Sequence, residues 1–343
     1  MAQPSIPGTI QAWQYTTNSG PLERRLHLNT VAPPNPNPDQ HLIRICYAAV
    51  NPVDYKVAEV PLYGRFATNP KPATPGIDYS GILLRPAAGS ALKPGQKVIG
   101  AAGTSPFAGG AFREIAIAKN NGTVALPEGV SLEDGATVGV AGLTAYQSIV
   151  PHVKAGSKLL ILGGSGGTGI FGIQIAKIVG CEVTVTCSTA NVELCKSLGA
   201  DEVINYKTQD VLTALARKGQ HFDHVVDNVG GDLNIFFQAH RYTRPGAGYV
   251  YVAGTPSIAF VLGMLRVALP TWLGGPQRKF IGIFCEARID EAEQIAQWMK
   301  EGKIRPVIDS RFEFDSVPKA IERSKTGRAR GKIVIKVAGE VNQ

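Results

Sequence analysis

A glycine-rich segment near the middle of the chain carries the clearest chemical signal in the sequence. Gly163, Gly166 and Gly169 recur at every third position. They lie between an apolar run at 158–162, which predicts a buried strand, and another at 170–179, which predicts a helix. Glycines in such a loop let the backbone approach a phosphate, and the first turn of the helix offers unpaired N–H groups. The segment therefore predicts a site for the pyrophosphate of a dinucleotide. The residues expected to line it are Gly163, Ser165, Gly166, Gly167 and Thr168.

The turn after the next predicted strand, 182–187, indicates which dinucleotide this is. It has the sequence Ser-Thr-Ala-Asn at 188–191 and contains no carboxylate. A site for NAD usually has Asp or Glu at this point, bound to the ribose 2′-hydroxyl. Hydroxyl and amide groups leave room for a 2′-phosphate instead, so we expect NADPH rather than NADH. The residues expected to bind this end of the cofactor are Ser188, Thr189, Asn191 and Tyr206, with Lys207 beside them.

The elements that must position these residues follow a regular order. From about residue 131 onward, predicted strands at 158–162, 182–187, 201–206, 224–228, 248–253 and 280–284 alternate with several helical segments. This alternation is typical of parallel βαβ units and predicts an α/β fold with a doubly wound parallel sheet. The first 128 residues are instead rich in Pro and Gly, with short β-type runs at 41–47, 97–100 and 112–117. They predict a separate, mostly antiparallel β unit.

Composition excludes several other classes of protein. A chain of 343 residues with 44% hydrophobic and 18% charged residues is suited to about two globular domains and not to a disordered chain or a coiled coil. The longest apolar stretch, 258–273, is interrupted by Arg266 and Pro270, and the N-terminal residues do not resemble a targeting signal. Five cysteines without a C-x-x-C pair predict neither a disulfide framework nor a zinc ribbon. We expect a cytoplasmic location.

Most of the net charge of +8 comes from one segment, 319–336, which has seven basic residues and one acidic residue. This segment predicts either a solvated helix and loop or a surface for a phosphate-bearing ligand or partner. No nucleic-acid-binding motif accompanies it, so nucleic acid is not an expected partner.

Several blocks in order along the chain carry a resemblance to a known family. They are NPVDYK at 51–56, PGIDYSG at 75–81, GQKVIG at 95–100, GAF at 110–112, AGLTAY at 141–146, KSLGAD at 196–201, DNVGG at 227–231 and RGKIV at 330–334, together with the glycine loop. Over nearly its whole length the chain resembles the zinc-independent medium-chain dehydrogenases/reductases of the quinone oxidoreductase and trans-acting enoyl reductase branch. The resemblance implies a GroES-like catalytic domain formed by 1–128 and 286–343, and an inserted Rossmann domain at 129–285.

The resemblance also implies a site without metal. Alcohol dehydrogenases of the family have Cys where Asn51 stands and His where Ile77 stands, and they carry a four-cysteine lobe that this sequence lacks. An amide and an aliphatic side chain do not form a tetrahedral zinc site. The expected chemistry is hydride transfer to an activated alkene or to a quinone, and not zinc-assisted reduction of a carbonyl.

Four residues receive roles from the resemblance. Lys56 is placed beside the cofactor ribose, where its ammonium would offset enolate charge, and Asn51 lines the pocket at the former metal position. Tyr63 is the expected proton donor, with Tyr55 as an alternative, and Thr144 holds the nicotinamide carboxamide. The block at 227–231 adds Asn228 as a cofactor contact. The first four roles also have purely structural alternatives. Lys56 could be a solvated lysine and Asn51 a turn residue before a proline, while the tyrosine could be a packed ring and Thr144 a helix cap.

The sequence therefore predicts an NADPH-dependent reductase of an activated C=C bond in an enoyl or enone substrate. More narrowly, it predicts a trans-acting enoyl reductase serving a polyketide synthase, on a hydrophobic or carrier-bound substrate. Two alternatives stay open: a quinone oxidoreductase, and a low-turnover NADPH-binding protein that acts through its basic surface. The apolar segment 258–269 predicts a packed helix, a substrate pocket, a subunit contact or a contact with a membrane or synthase surface. Either a monomer or a homodimer is consistent with these features.

Overall fold

A computed structural model describes residues 6–60, 72–102, 110–231, 233–252 and 258–338. The chain forms two compact units. One comprises Met1–Leu143 and Glu286–Gln343, and the other comprises Thr144–Cys285. The first is built around antiparallel strands and the second around a parallel sheet, which confirms the predicted α/β fold with a GroES-like and a Rossmann part.

Fourteen strands occur in the described residues. They are β1 (Ile10–Gln14), β2 (His27–Val31), β3 (Gln40–Val50), β4 (Asp78–Arg85), β5 (Lys97–Ala102), β6 (Ile115–Ala125), β7 (Lys158–Leu162), β8 (Glu182–Cys187), β9 (Glu202–Asn205), β10 (Phe222–Asp227), β11 (Thr243–Tyr251), β12 (Lys279–Gly282), β13 (Ile308–Glu313) and β14 (Lys332–Lys336).

The same residues contain ten α-helices. They are α1 (Pro52–Glu59), α2 (Leu132–Gly135), α3 (Gly139–Ile149), α4 (Gly167–Val179), α5 (Val192–Ser197), α6 (Val211–Arg217), α7 (Asn234–Phe237), α8 (Ile258–Val267), α9 (Ile289–Lys300) and α10 (Val317–Lys325).

In the first unit, four long strands close into a ring. β3 pairs with both β4 and β6, and β5 pairs with both of those strands, all antiparallel. β14 extends this sheet by pairing antiparallel with β3, and β13 lies parallel to β14. The ring encloses an apolar core that includes Ile43, Tyr79 and Phe112. The early β-type runs of the sequence lie in or beside β3, β5 and β6.

In the second unit, six parallel strands follow the order β12–β11–β10–β7–β8–β9. The chain moves outward from β7 through β8 to β9, and then returns to the other side of β7 with β10. A change of direction of this kind opens a crevice at the carboxyl ends of the two central strands, where ligands of open α/β sheets bind. The loops after β7 and β10 are therefore the positions at which the fold places a ligand.

Predicted and observed elements differ mainly at their ends. Helix α4 begins at Gly167, three residues before the predicted start, because glycines without side chains still take helical backbone angles behind the Gly166 cap. Strand β11 begins at Thr243, although its first residues include a proline and two glycines that argue against a strand.

The apolar segment at 258–269 forms helix α8, which has two different faces. Phe260 and Met264 pack against the core of the second unit. Val261, Leu262 and Leu265 on the other face are each more than half exposed. The prediction of a packed helix is thus correct for one face. Across the part of the chain that the structure describes, no helix is both long enough and apolar enough to cross a membrane.

Candidate functional site

The loop after β7 is held by hydrogen bonds to the neighbouring strand. Gly163 has a φ of +77°, in the left-handed region that favours glycine. Its N–H donates to Thr186 Oγ1 at 3.0 Å, and the N–H of Gly164 donates to the Thr186 carbonyl oxygen at 2.9 Å. The loop therefore starts with a fixed turn that leads the chain directly into α4.

The glycines allow contacts that no side chain would permit. A Cβ on Gly169 would lie 2.6 Å from the carbonyl oxygen of Gly164 and closer still to that of Gly163. A Cβ on Gly164 would lie 2.8 Å from Cβ of Val185. The first turn of α4 thus lies directly against the loop, with no room for side chains at these two positions.

The start of α4 presents backbone N–H donors that could bind an anion. Gly166 caps the helix, and the N–H of Ile170 donates to its carbonyl oxygen at 3.0 Å as the first helical hydrogen bond. The amides of Gly167, Thr168 and Gly169 precede this bond, so the helical pattern provides them with no acceptor. Together with the helix dipole they favour a pyrophosphate at this position.

Polar side chains gather at the carboxyl ends of β7, β8 and β9. Asn191 Nδ2 donates to Ser165 Oγ at 2.9 Å and so joins the turn after β8 to the glycine loop. Asn205 Nδ2 donates to Thr189 Oγ1, also at 2.9 Å. Oδ1 of Asn191 is buried and has no hydrogen-bond partner among the described residues. The structure therefore brings Ser165 and Asn191 into contact and pairs Thr189 with Asn205, and among the described residues it leaves the Asn191 oxygen without a donor.

Tyr206 and Lys207 lie just beyond β9. The Tyr206 ring is 48% exposed, and the Lys207 ammonium lies 5.6 Å from its centroid. The backbone N–H of Tyr206 donates to the Cys187 carbonyl oxygen at 3.1 Å, which holds this pair beside the turn that begins at Ser188. An exposed flat ring with a cation over it suits an adenine base and a nearby phosphate.

A buried carboxylate shapes the loop after β10. Asp227 accepts from the N–H groups of Val229 and Gly230, both at 3.0 Å, and from the Tyr249 hydroxyl at 2.7 Å. Asn228 lies between these contacts, and its Oδ1 is buried without a partner in the described part of the chain. The roles of Asp227 and Tyr249 were not predicted from the sequence. The available signal was a carboxylate at the end of a central strand, directly before the predicted contact Asn228.

In the first unit, Asn51 lies at the centre of a buried polar cluster. It follows β3 and caps α1, and its N–H donates to Asp54 Oδ2 at 2.7 Å. Its Oδ1 accepts from the Lys332 ammonium at 2.5 Å, and the same ammonium lies 3.0 Å from Asp78 Oδ2. Asp78 Oδ1 accepts from the N–H of Val140 at 2.7 Å. Asn51, Lys332 and Asp78 are 3%, 3% and 0% exposed, so every contact in the cluster is shielded from water.

This cluster does not fit a zinc ion. The Asn51 oxygen is already held by an ammonium, and the second position at which the resemblance places a zinc ligand is occupied by the aliphatic side chain of Ile77. Asp78 is paired with the same ammonium, whose charge opposes a divalent cation. The residues present are therefore donors and acceptors for hydrogen bonds and not metal ligands.

Because Asp54 belongs to this buried cluster, the pH dependence of the protein's stability tests the assignment. Burial raises the pKa of its carboxyl to about 8. In the unfolded chain the same group titrates near 4, so between about pH 4 and pH 8 the unfolded state holds fewer protons and stability falls as the pH rises. We expect Asp54→Asn to remove this fall, which is at most about 1.4 kcal/mol per pH unit for one proton. Urea unfolding at pH 5, 6.5 and 8 measures it, and parallel profiles for the two proteins would contradict the assignment.

The other predicted catalytic residues lie on or near α1. Lys56 is on this helix and half-buried, and burial lowers the pKa of its ammonium. Tyr55 is buried in the core of the first unit, where its ring lies 5.3 Å from the Lys325 ammonium. Tyr63 lies outside the described residues. In the second unit Thr144 is buried in the middle of α3, and not at a helix end.

Much of the basic segment at 319–336 is paired within the first unit. Arg323 contacts Asp309 at 2.7 Å, and Lys325 contacts both Glu23 and Glu59. Lys332 is buried against Asp78, as described above. These three basic side chains are thus paired within the unit, and the buried Lys332 departs from the expected solvated helix and loop.

Comparison with known proteins identifies the family. Residues 37–128 match the alcohol dehydrogenase GroES-like domain, and residues 198–335 match the zinc-binding dehydrogenases. A trans-enoyl reductase, pgmF from Aspergillus terreus, is 44% identical, with 97% of this chain and 98% of the relative covered. The chain belongs to the medium-chain dehydrogenase/reductase family. It is thus an oxidoreductase, in a family whose members bind nicotinamide cofactors.

Two further medium-chain dehydrogenases/reductases show how widely the similarity extends. A chloroplastic quinone-oxidoreductase homolog from Spinacia oleracea is 33% identical, with 95% of this chain and 98% of the relative covered. The solved structure of the quinone oxidoreductase from Coxiella burnetii superposes with a TM-score of 0.84 at 29% identity, over 96% of this chain and all of that one. The predicted resemblance to the quinone and enoyl reductases is therefore confirmed.

Proposed function

We propose that this medium-chain reductase uses NADPH to reduce the activated C=C bond of an enoyl or enone substrate. The observation that carries the proposal is the buried cluster of Asn51, Lys332 and Asp78, because these are hydrogen-bonding groups around the residue that, by the resemblance, replaces a zinc ligand of the alcohol dehydrogenases. Reduction of a conjugated alkene requires stabilisation of a developing enolate oxygen, for which N–H donors suffice. The 44% identity with a trans-enoyl reductase supports the same substrate class.

The second unit would hold the cofactor. The close packing around Gly164 and Gly169 and the free donors at the start of α4 suit the pyrophosphate. The buried, unpartnered oxygens of Asn191 and Asn228 suit hydroxyl groups of the two riboses. Once bound, the nicotinamide supplies a hydride.

We base the proposed preference for NADPH over NADH on the residues expected to bind the adenosine end of the cofactor. The turn 188–191 contains no carboxylate, and Lys207 is an exposed cation beside Tyr206. We expect Lys207→Ala to raise the Kd for NADPH by about tenfold, the value of one charge-assisted contact, and to leave the Kd for NADH nearly unchanged. Fluorescence titration measures both constants. Lys196→Ala, at an exposed lysine that pairs with Glu193, is the matched control, and an equal effect on both cofactors would contradict the assignment.

In the first unit we assign two residues to the substrate. The Lys56 ammonium offsets negative charge that develops on the substrate oxygen, and the Asn51 amide lines the site at the former metal position. Tyr63 remains the proposed proton donor. Tyr55 is a weaker choice for this role, because burial raises the pKa of its hydroxyl.

The decisive experiment combines binding and turnover. The purified protein is titrated with NADPH and with NADH, followed by the fluorescence of its three tryptophans, and is then assayed with enoyl thioesters, enones and small quinones. Tight NADPH binding with turnover of the thioesters or enones is the expected result. Turnover of quinones alone would replace the proposal by its alternative. Binding without turnover of any of these would favour the low-turnover partner protein.

Quinone reduction is the second candidate function. It is favoured by the 33% identity with the Spinacia oleracea homolog and by the likeness to the Coxiella burnetii structure. A quinone is a free small molecule, so a quinone reductase would turn it over with no need for a carrier protein. An enzyme for carrier-bound enoyl groups would instead reduce the carrier-bound substrate far better than the corresponding free thioester.

The partner is proposed to be a hydrophobic small molecule or a carrier-bound enoyl chain of a polyketide synthase. The exposed face of α8, with Val261, Leu262 and Leu265, is consistent with contact to such a synthase or to a membrane surface. A cytoplasmic location and a monomeric or homodimeric state stay predictions.

A further inference from the structure

The contact between Lys332 and Asn51 determines which way the Asn51 amide faces. A lysine ammonium has three N–H donors and no acceptor, so the atom that it contacts must be an oxygen. The atom of Asn51 at 2.5 Å from the ammonium is therefore Oδ1, and Nδ2 lies on the opposite edge of the amide. Within the described part of the chain, Nδ2 has a single long contact, 3.5 Å to the Ala49 carbonyl oxygen. The amide is thus held with its N–H edge turned away from Lys332.

Lys332 is itself held rigidly. Its ammonium pairs with Asp78, whose other oxygen accepts from the Val140 N–H. A Cβ on Gly139 would overlap this carboxylate, so the carboxylate lies directly against the start of α3. Lys332 begins β14, and the next residue, Ile333, pairs with Val50, the residue directly before Asn51. Strand register and a buried ion pair together set the distance between the ammonium and the amide.

From this geometry we propose that Lys332 is a positioning residue, which orients Asn51 so that its amide donates a hydrogen bond to the carbonyl oxygen of the substrate. The inference rests on the proposed function, because only a substrate that develops negative charge on oxygen requires a donor here. Without the ammonium, the amide would be free to turn and present Oδ1, which would repel that charge. In this role Lys332 acts through Asn51, because its ammonium is held by the Asn51 and Asp78 oxygens.

A double-mutant cycle tests this inference. Lys332→Met is combined with Asp78→Asn so that no charge is left buried without a partner. We expect this pair of changes to lower kcat for an enoyl thioester by about 100-fold, the cost typical of losing an oxyanion donor, and to leave the Kd for NADPH unchanged. In an Asn51→Ala background the same pair should lower kcat no further, because the interaction through which Lys332 acts is already gone. A general structural role would instead lower kcat in both backgrounds.

A second variant tests the need for a donor without removing Lys332. Asn51→Asp keeps an oxygen toward the ammonium and has nearly the same shape, but it has no N–H to donate. We expect it to lower kcat as much as Asn51→Ala does, with an unchanged Kd for NADPH. Wild-type kcat in Asn51→Asp, or a further loss from the Lys332 and Asp78 changes in the Asn51→Ala background, would overturn the inference.

A matched control removes another ion pair of the same unit. Arg323→Met combined with Asp309→Asn deletes a contact of 2.7 Å outside the Asn51 cluster and should leave kcat unchanged. The wild-type chain shows separately whether the proposed function is wrong. If it reduces neither enoyl thioesters nor enones, both the proposed function and this inference are contradicted. A wild-type chain that reduces them, with effects that add in the cycle, would overturn the role of Lys332 alone.

Discussion

Gly169→Ala is expected to abolish measurable binding of NADPH, with a Kd raised by at least about 100-fold, or roughly 2.7 kcal/mol. The added methyl would overlap the carbonyl oxygen of Gly163 and lie 2.6 Å from that of Gly164. Both oxygens belong to backbone that is fixed by hydrogen bonds to Thr186, so the helix must move away from the loop. That movement displaces the donors of the first turn from the pyrophosphate. Tryptophan fluorescence titration measures the change.

Gly172→Ala is the matched control because it lies one turn further along the same helix. A methyl there would lie 3.4 Å from side-chain methyls of Ile149 and Ile161, at the edge of ordinary contact. Alanine also favours a helix over glycine, so the fold should be retained. We expect the Kd for NADPH to stay within about threefold of wild type, a change below 1 kcal/mol. Equal losses in the two variants would show that α4 tolerates no added volume and would contradict the specific role of Gly169.

Lys56→Met is expected to lower kcat for the enoyl substrate by about 100-fold, the cost typical of losing one group that stabilises charge on oxygen. Lys56 is half-buried, and that burial lowers its pKa, so water screens its charge less than it screens that of a fully exposed lysine. Methionine keeps much of the length and apolar contact of the lysine stem but removes the ammonium. The Kd for NADPH should change by no more than a few fold. Steady-state rates and a fluorescence titration on the same samples separate the two effects.

The control for Lys56 is Lys93→Met, an exposed lysine of the same unit. It should leave both kcat and the Kd for NADPH at wild-type values. If Lys56→Met keeps full kcat but weakens NADPH binding, Lys56 serves the cofactor rather than the enolate. If neither quantity changes, Lys56 is a solvated surface residue, as its alternative interpretation holds.

The residues predicted best are those whose partners are close in sequence. Gly163, Gly166 and Gly169 lie within seven residues that cover the loop after β7 and the first residues of α4, so their spacing already contains the turn, the close packing and the exposed donors. The predicted turn at 188–191 is local in the same sense. Its joining to the glycine loop through Ser165 required only the parallel sheet, which alternating strands and helices predict.

The Asn51 cluster could not be predicted in this way. Lys332 and Asn51 are 281 positions apart, and they meet only because β14 pairs with β3. From sequence, Lys332 belongs to a basic segment with several solvated neighbours, and nothing in its spacing marks it as buried. Asp227 was missed for a related reason, since its acceptor role depends on Tyr249 from the neighbouring strand β11. Hydrophobic periodicity predicts individual strands and helices, but it does not predict which strands pair with one another.

The return of the chain through β14 also has a consequence for synthesis on the ribosome. The Rossmann unit is one continuous stretch, Thr144–Cys285, and all of its strands have emerged before β13 is made. The GroES-like unit must wait, because the edge of β3 that precedes Asn51 stays uncovered until β14 has been translated. An unpaired strand edge is a template for aggregation. The nascent chain therefore carries this unpaired edge from the translation of β3 until that of β14, and a chain truncated before residue 332 would keep the edge exposed.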